Sequence, residues 1–239
     1  MAEDRGAFTA ATGRQLEAAG RDKPRYRRYQ YDLIAPHCGR TILEVGAGLG
    51  EFAEQFGDVD RLVLTDVDPG AVELMARRFA GRPEVQTRTL ALGVAPELDE
   101  PVASVVAINV LEHIEDDAGA LRSLATAVQP GGSIVLWVPG YQQLYGEFDR
   151  KVGHVRRYTP STLASAVRRA GLDVELVKPV NLLGGIAWWL TVRRGGSTSP
   201  DSKLVAVFDR FVVPVTRALE RVMRPPFGQS VLCVARVRA

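Results

Sequence analysis

Short apolar segments rich in β-branched residues alternate with segments of helical periodicity over the first 140 residues of the chain. The strand signals lie at 41–45, 61–65, 85–90, 102–108 and 133–138. The helix signals between them lie near 50–57, 69–80 and 114–129, and the last is expected to stop at Pro130-Gly131-Gly132. Strands that alternate with helices form βαβ units, which favour a parallel sheet with right-handed crossovers. The alternation therefore predicts a doubly wound α/β fold with a mainly parallel sheet.

The chain on either side of this core adds helices and two further strands. The first forty residues predict a helical cap over 1–40. The later signals are a helix at 160–170 with Thr159 or Ser161 near its cap, a strand at 172–180, helices at 182–192 and 203–223, and a strand at 230–237. Pro214 predicts a kink in the second of these helices. We interpret 182–226 as a helical insertion before the last of seven strands, in a single 239-residue domain whose core spans 41–140.

The composition argues against several classes of protein. Cys38 and Cys233 are far apart and lack the spacing of metal ligands, so neither a disulfide framework nor a metal site is expected. The net charge of +2 is too balanced for a dedicated nucleic-acid binder, and no apolar run reaches the ~18 residues that span a bilayer. The polar amino terminus lacks the apolar segment of a signal peptide, so we expect a cytoplasmic protein.

A glycine-rich segment, Glu44-Val45-Gly46-Ala47-Gly48-Leu49-Gly50, includes the end of the first strand signal and the turn after it. Such a turn lets a ligand approach the backbone closely, at the start of a helix. A dinucleotide-binding loop would need a glycine at position 51, where this chain has Glu51, and a carboxylate beside a pyrophosphate is unfavourable. S-adenosylmethionine (SAM) has no phosphate and carries positive charge. The loop therefore favours SAM, and an NAD(P)-dependent oxidoreductase is the alternative.

A carboxylate at the end of the second strand supports a nucleoside cofactor. Asp66 follows the loop by about 20 residues, where an acid can accept hydrogen bonds from both ribose hydroxyls. Val67 follows it and is expected to pack against the adenine face.

The run Asn109-Val110-Leu111-Glu112-His113-Ile114-Glu115-Asp116 follows the fourth strand signal. Together with the glycine-rich segment, Asp66 and Pro130-Gly131-Gly132, it resembles the class I SAM-dependent methyltransferases over residues 25–140. The resemblance implies a Rossmann-like fold, SAM as cofactor and S-adenosylhomocysteine as product. It also implies cofactor contacts from Arg28, Glu44, Gly46, Ala47, Gly48, Asp66 and Asn109. In one respect the chain departs from the family, because Leu90-Ala91-Leu92-Gly93 lacks the acid that many members place after the third strand to bind the adenine amino group.

Methyl transfer from SAM is an in-line displacement, so a general base is needed only if the acceptor must lose a proton. His113 follows the fourth strand, where open α/β sheets place their active sites, and it is one candidate base. His154 is the other, in the charged and aromatic loop at 145–158. A structural role for each histidine stays open.

Candidate acceptor-binding residues come from three regions and are Tyr29, Arg156, Arg157, Tyr158 and Trp188. The arginines suit an anionic substrate group, or alternatively structural carboxylates that fix the loop. Trp188 suits an apolar acceptor pocket beneath an insertion that acts as a lid, or alternatively core packing, a homodimer contact or a peripheral membrane contact. We expect methylation of a small, partly apolar metabolite, and the alternative is a SAM-binding protein with other chemistry.

Overall fold

A seven-stranded sheet lies at the centre of the described part of this computed structural model, which comprises residues 23–91, 93–193 and 202–238. The strands are β1 (Thr41–Val45), β2 (Arg61–Asp66), β3 (Val85–Thr89), β4 (Val102–Ile108), β5 (Val128–Pro139), β6 (Asp173–Val180) and β7 (Ser230–Arg236). Their order across the sheet is β3-β2-β1-β4-β5-β7-β6. Only β7 runs antiparallel to its neighbours β5 and β6 within this sheet. The predicted α/β fold with a mainly parallel sheet is confirmed.

The order of the strands reverses between β1 and β4, which lie side by side although two strands separate them in the chain. At such a reversal the connections leave the two strands toward opposite faces of the sheet. The carboxyl ends of β1 and β4 therefore flank a crevice, and open α/β sheets bind their ligands there.

Both faces of the sheet are buried along β1, β2, β4, β7 and most of β5, which explains the nearly continuous apolar sequence of these strands, whereas the edge strands β3 and β6 are partly exposed. Leu43 and Val45 of β1 pack into the cluster on one face, while Ile42 packs into the cluster on the other. Since successive side chains of a strand point to opposite faces, Glu44 lies on the same face as Ile42. A carboxylate in that position interrupts an otherwise apolar strand.

Helices cover the sheet on both faces. They are α1 (Pro24–Ile34), α2 (Pro69–Arg78), α3 (Asp117–Ala125), α4 (Glu147–Lys151), α5 (Pro160–Arg169), α6 (Leu182–Trp188), α7 (Ser202–Val207) and α8 (Val213–Val222). Thr159 caps α5 by accepting a hydrogen bond from the backbone N–H of Thr162 at 3.2 Å. Of the predicted cap over 1–40, residues 1–22 lie outside the described residues.

Two of the predicted elements are wrong. The helix expected near 50–57 is a single 3₁₀ turn, Ala53–Gln55, because the positive φ angle of Gly50 keeps that residue out of a right-handed helix and the chain is extended again at Phe56. Pro130-Gly131-Gly132 lies inside β5 rather than ahead of it. The backbone N–H of Gly131 donates to the carbonyl of Val237 at 3.0 Å, so pairing with the chain beyond β7 keeps this segment in the sheet although the φ angle of Gly131 is 76°.

The chain between β6 and β7 contains wide helical turns. A π-helical segment, Trp189–Arg193, continues α6, and another, Phe208–Val212, joins α7 to α8. Pro214 is the second residue of α8, so the π segment, rather than a kink inside one helix, accommodates the proline that cannot donate a hydrogen bond. No helix within residues 23–91, 93–193 and 202–238 is both long enough and apolar enough to cross a membrane.

The insertion is fastened to α1. The carboxylate of Asp209 accepts hydrogen bonds from the backbone N–H groups of Arg25, at 3.2 Å, and Tyr26, at 2.8 Å, and so caps the amino end of α1. The carboxylate of Glu220 accepts a hydrogen bond from the Tyr29 hydroxyl and another from the backbone N–H of Leu182 at 2.9 Å. These two acids join α1, α6 and the 202–222 segment into one unit beside the sheet.

Candidate functional site

The loop after β1 has the backbone shape that its glycines predict. Gly46, Gly48 and Gly50 adopt φ angles of 67°, 58° and 76°, a region that L side chains rarely occupy. A Cβ atom on Gly46 would lie 2.6 Å from Cγ2 of Val110, so the loop also packs closely against the chain that follows β4. The loop around Ala47 thus presents bare backbone at the crevice between β1 and β4.

Asp66 holds this loop in place. Its carboxylate accepts hydrogen bonds from the backbone N–H groups of Gly48 and Asp68, each at 2.9 Å. Each carboxylate oxygen has a second acceptor position. Val67, which follows, is 40% exposed. The end of β2 therefore presents a fixed carboxylate and a neighbouring apolar side chain.

Glu44 is a buried acid at the end of β1. It is 3% exposed, and its Oε2 atom has no hydrogen-bond partner among the described residues. Burial raises the pKa of Glu44 to about 8. An acid held without a partner at the crevice is suited to a ligand that brings hydrogen-bond donors or positive charge.

A small apolar recess lies beside the ends of β1 and β4, at Val45 and Ala107. Its lining includes Leu90 and Ala91 after β3, and Val110, Leu111 and Ile114 after β4. Leu92, in the same segment, lies outside the described residues. After β3, the chain thus has apolar side chains where the family resemblance would imply an acid.

The structure does not place the side chain of Arg28, a predicted cofactor contact, at the glycine loop. Arg28 pairs with Asp32 at 2.9 Å and lies over the ring of Tyr31. Its neighbour Arg27 instead pairs with Glu51 at 3.2 Å, at the end of the glycine loop. Helical phase separates the two arginines, because successive positions on a helix point in directions about 100° apart.

Two of the chain's three histidines meet a buried acid beyond the end of β4. The rings of His113 and His154 are 4.7 Å apart, and Nε2 of His154 lies 3.6 Å from Oε1 of Glu112. One ligand-type atom from each of the three residues lies within 4.8 Å of the other two. Glu112 is 0% exposed, and neither of its carboxylate oxygens accepts a hydrogen bond from the described residues. We call these three residues the 112–154 cluster.

The acid–base properties of the 112–154 cluster follow from its burial. Burial raises the pKa of Glu112 to about 8. Burial first, and the neighbouring His154 second, lower the pKa of His113 to about 4. At neutral pH, therefore, His113 is a neutral imidazole.

Asp149 orients the His154 ring through Nδ1, the nitrogen that is farther from Glu112. Its Oδ1 atom lies 2.8 Å from Nδ1 of His154, and the carboxylate also accepts two hydrogen bonds from the guanidinium of Arg157, at 2.8 and 3.1 Å. Burial alone would raise the pKa of Asp149, but the hydrogen bonds from His154 and Arg157 outweigh it, so the pKa is lowered. The ionised acid fixes Nδ1 as the protonated nitrogen and turns Nε2 toward Glu112.

Both candidate substrate arginines are bonded to carboxylates of the protein. Arg157 is buried on Asp149, and Arg156 donates to Asp117 at 3.0 Å. Tyr158 is also buried, and its hydroxyl donates to Asp117 at 3.2 Å. These contacts match the alternative in which structural carboxylates fix the loop. Neither guanidinium is directed at a substrate anion.

Trp188 connects the insertion to the same loop. Its ring packs edge-on against Phe148, with centroids 5.0 Å apart, and the Arg157 guanidinium lies 5.2 Å from its centroid. Its indole N–H donates to the carbonyl of Leu144 at 3.3 Å. Tyr29, by contrast, is buried, and its hydroxyl donates to Glu220 and accepts from the backbone N–H of Asn181 at 3.0 Å. Trp188 therefore packs against the loop that carries His154, whereas Tyr29 joins α1 to the insertion.

Sequence reasoning missed the two acids that organise the histidines. Glu112 directly precedes His113, and Asp149 lies five residues before His154, so both stood in segments already selected for their histidines. A polar residue next to a candidate base was the available signal, but only the fold shows that Glu112 and Asp149 flank one imidazole.

Comparisons with known proteins agree with this geometry. A family model described as a methyltransferase domain matches residues 9–177. A probable SAM-dependent methyltransferase of Mycolicibacterium smegmatis is 31% identical over 178 residues, which cover 72% of this chain and 68% of that protein. A ubiquinone biosynthesis O-methyltransferase of Paracidovorax citrulli is 29% identical, over 60% of this chain and 67% of that protein.

Among solved structures, the putative methyltransferase found in complex with the Trm112 activator of Haloferax volcanii has a similar fold. The TM-score is 0.68 at 15% identity, and the alignment covers 96% of this chain and 95% of that chain. At this identity the likeness concerns the fold alone.

Proposed function

This chain belongs to the class I SAM-dependent methyltransferases, and we propose that it methylates a small, partly apolar acceptor whose nucleophilic atom meets the 112–154 cluster. The observation that carries the proposal is the position of that cluster. Glu112 and His113 follow Asn109 by three and four residues at the end of β4, beside the crevice where the glycine loop lies. Methyl donor and acceptor must meet in such a place for an in-line transfer.

The cofactor side of the proposed site is formed by β1, β2 and β4. The backbone of Gly46, Ala47 and Gly48 would hold the methionyl part of SAM, with Glu44 accepting hydrogen bonds that no described residue supplies to its Oε2. Asp66 would take the ribose hydroxyls through its remaining acceptor positions, and Val67 would cover the adenine. Asn109, whose φ angle is 54°, would turn its backbone toward the methionyl end. We leave Arg28 out, because it pairs with Asp32.

The acceptor side is formed by the loop at 140–158 and by α6. Phe148 and Trp188 supply apolar rings there, and Arg157 connects Trp188 to the acid that orients His154. These rings favour a partly apolar acceptor. We do not extend the proposal to an anionic group on the acceptor, because Arg156 and Arg157 are already paired with Asp117 and Asp149.

When bound, SAM supplies a methyl group activated by its sulfonium. The protein then has to align the acceptor atom with that methyl group. Where the acceptor carries a proton, the protein also has to lower the free energy of removing it. The residues of the 112–154 cluster would position the acceptor atom toward that methyl group, S-adenosylhomocysteine would be the leaving group, and a hydroxyl acceptor would release its proton to solvent. An acceptor hydroxyl fits this scheme, and the Paracidovorax citrulli relative is named as an O-methyltransferase.

The test is release of S-adenosylhomocysteine with a panel of small acceptors. The panel contains matched apolar phenols, alcohols, amines and carboxylates, together with a protein extract and RNA. We expect turnover with hydroxyl-bearing acceptors and a loss of at least about tenfold in His154→Gln, because this substitution changes the cluster that the acceptor atom is proposed to meet. The control is His37→Gln, because His37 lies against Glu175 at the surface. Turnover confined to protein or RNA would overturn the proposal.

A further inference from the structure

We infer that the 112–154 cluster is a binding site for a divalent transition-metal ion, with Glu112, His113 and His154 as ligands. The inference deepens the proposed function, on which its catalytic meaning rests, but the ion-binding site stands on its own contacts. Two imidazole nitrogens and one carboxylate form a donor set that Zn²⁺ and other first-row divalent ions accept, with positions left open for a substrate atom. Mg²⁺ and Ca²⁺ prefer sites built of oxygen, so they fit this set less well.

One of the ligand separations is already close to that in a zinc site. In a tetrahedral zinc site with ligand bonds of ~2.0–2.1 Å, neighbouring ligand atoms lie about 3.3–3.4 Å apart. Oε1 of Glu112 and Nε2 of His154 are 3.6 Å apart, close to that edge, and all three ligand atoms lie within 4.8 Å of one another. The separation is compatible with one ion after a small inward turn of the His113 ring.

Glu112 supplies an independent reason for a ligand at this place. Its side chain is fully buried, and both carboxylate oxygens lack a hydrogen-bond partner among the described residues. A buried carboxylate is costly without compensation by hydrogen bonds or by positive charge. It is directed at two imidazoles, so a cation coordinated by all three groups would compensate it.

The surroundings of His154 also have the form of a metal site. A histidine that binds metal through one nitrogen usually donates its other N–H to a carboxylate, which fixes the tautomer and raises the basicity of the ligand. Asp149 accepts at Nδ1 of His154 at 2.8 Å, and Arg157 holds Asp149 in turn. Nε2 is thereby oriented toward Glu112 rather than toward Asp149.

Such an ion would give the proposed reaction a defined step. An acceptor hydroxyl bound at an open position of the ion loses its proton more readily, because a divalent cation stabilises the resulting oxyanion. That oxygen attacks the methyl carbon as the carbon–sulfur bond breaks, and the proton goes to solvent. The histidines then serve as ligands and not as bases.

The experiment measures ion binding directly on untagged, full-length protein treated first with a chelator. Zn²⁺ stoichiometry is measured by equilibrium dialysis and elemental analysis, and Co²⁺ is used as an optical probe of the ligand set. We expect about one ion per chain. Glu112→Gln and His154→Gln should each weaken binding at least tenfold, and Asp149→Asn about 10–100-fold, as expected for a residue that orients a ligand. His37→Gln, which changes the one histidine outside the cluster, should bind normally.

The result that overturns the inference is binding of less than about 0.1 ion per wild-type chain, or equal binding by wild-type protein and both cluster variants. The first of these results is measured on wild-type protein alone, so it holds even if a variant misfolds. SAM affinity and circular dichroism report whether each variant folds. Ion binding without turnover of any small acceptor would leave the metal site standing and remove the proposed function. Turnover of a small acceptor by chelated protein with no ion bound would support the proposed function and overturn the metal site.

Discussion

The backbone N–H of Gly48 donates a hydrogen bond of 2.9 Å to the carboxylate of Asp66, which joins the loop after β1 to the end of β2. A second hydrogen bond of the same length reaches Asp66 from its own turn, at Asp68. The acid proposed to bind the ribose therefore also fixes the loop proposed to bind the methionyl part of SAM. Cofactor affinity should depend on this one side chain through both effects.

Asp66→Asn is the variant that tests this coupling. The amide keeps the size of the side chain but loses the charge and one acceptor, so we expect the Kd for SAM and for S-adenosylhomocysteine to rise by about 10–100-fold, since hydrogen bonds to charged groups contribute about 1.5–3 kcal/mol. Calorimetric titration measures the change. Asp60→Asn is the matched control, because Asp60 is exposed and pairs with Arg40 before β2 begins. Unchanged affinity in Asp66→Asn would remove Asp66 from the site.

The glycine loop allows a second test through backbone strain. Gly46 has a φ angle of 67°, and a Cβ atom there would lie 2.6 Å from Val110. Gly46→Ala should lower the free energy of unfolding by roughly 1–3 kcal/mol and weaken SAM binding, because the loop must shift to relieve both effects. Urea unfolding and titration with SAM give the two numbers.

Gly57→Ala is the control for Gly46→Ala. No φ in the left-handed range is found at Gly57, and no heavy atom outside its immediate neighbours lies within 4 Å of the added Cβ. We expect its stability to stay within about 0.5–1 kcal/mol of wild type. If the two variants have the same stability and the same affinity for SAM, then neither property depends on the backbone shape of the loop at Gly46.

The strand ends and the loop that form the proposed cofactor site could be predicted because their signals are local in the sequence. β1, β2 and β4 are short apolar runs that end in a loop or an acid, and parallel strands bring those ends to one edge of the sheet. The contact between Asp209 and the start of α1 joins residues 183 and 184 positions apart, and no periodicity encodes it. The approach of His154 to Glu112 likewise depends on how the loop after β5 folds back around the buried pair of Asp149 and Arg157.

That buried pair makes a prediction about stability. Asp149 is fully buried and accepts hydrogen bonds from Arg157, His154 and the backbone of Gly146. Asp149→Asn should lower the free energy of unfolding by roughly 3–5 kcal/mol, because it leaves the Arg157 guanidinium buried without its counter-charge. Denaturant unfolding measures the loss.

Glu147→Gln is the comparison for Asp149→Asn, since Glu147 is exposed and lies 4.0 Å from Arg150. Exposed ion pairs contribute about 0–1 kcal/mol, so this variant should resemble wild type. A loss of less than about 1 kcal/mol in Asp149→Asn would mean that the loop does not depend on the Asp149–Arg157 pair.

Glu44 predicts how stability changes with pH. Its pKa is raised to about 8 in the folded protein, against an ordinary value of 4.5, so the folded state keeps a proton that the unfolded chain releases above pH ~4.5. The free energy of unfolding should therefore fall as the pH rises from about 5 to about 8.5. In Glu44→Gln this contribution is absent, and the fall should be smaller by an amount on the order of 3 kcal/mol.

The difference between wild type and Glu44→Gln isolates Glu44 from other groups that titrate in this range, including Glu112. Exposed Glu97→Gln should follow the wild-type pH profile. Parallel profiles for wild type and Glu44→Gln would show that Glu44 is already ionised in the folded protein at neutral pH.

The insertion at 182–226 gives the last prediction, because its acids fasten it to α1. No side chain at Lys23 caps α1, and the carboxylate of Asp209 accepts from the N–H groups of Arg25 and Tyr26 instead. Asp209→Ala should cost about 0.5–2 kcal/mol, as for the loss of other helix caps, and should speed hydrogen exchange in α1 and in 202–222 together. Asp173→Ala, which removes an exposed acid paired with Arg238, is the control. Faster exchange in α1 alone would show that the insertion keeps its place without the cap, and would then favour a mobile lid over a fixed wall for the acceptor.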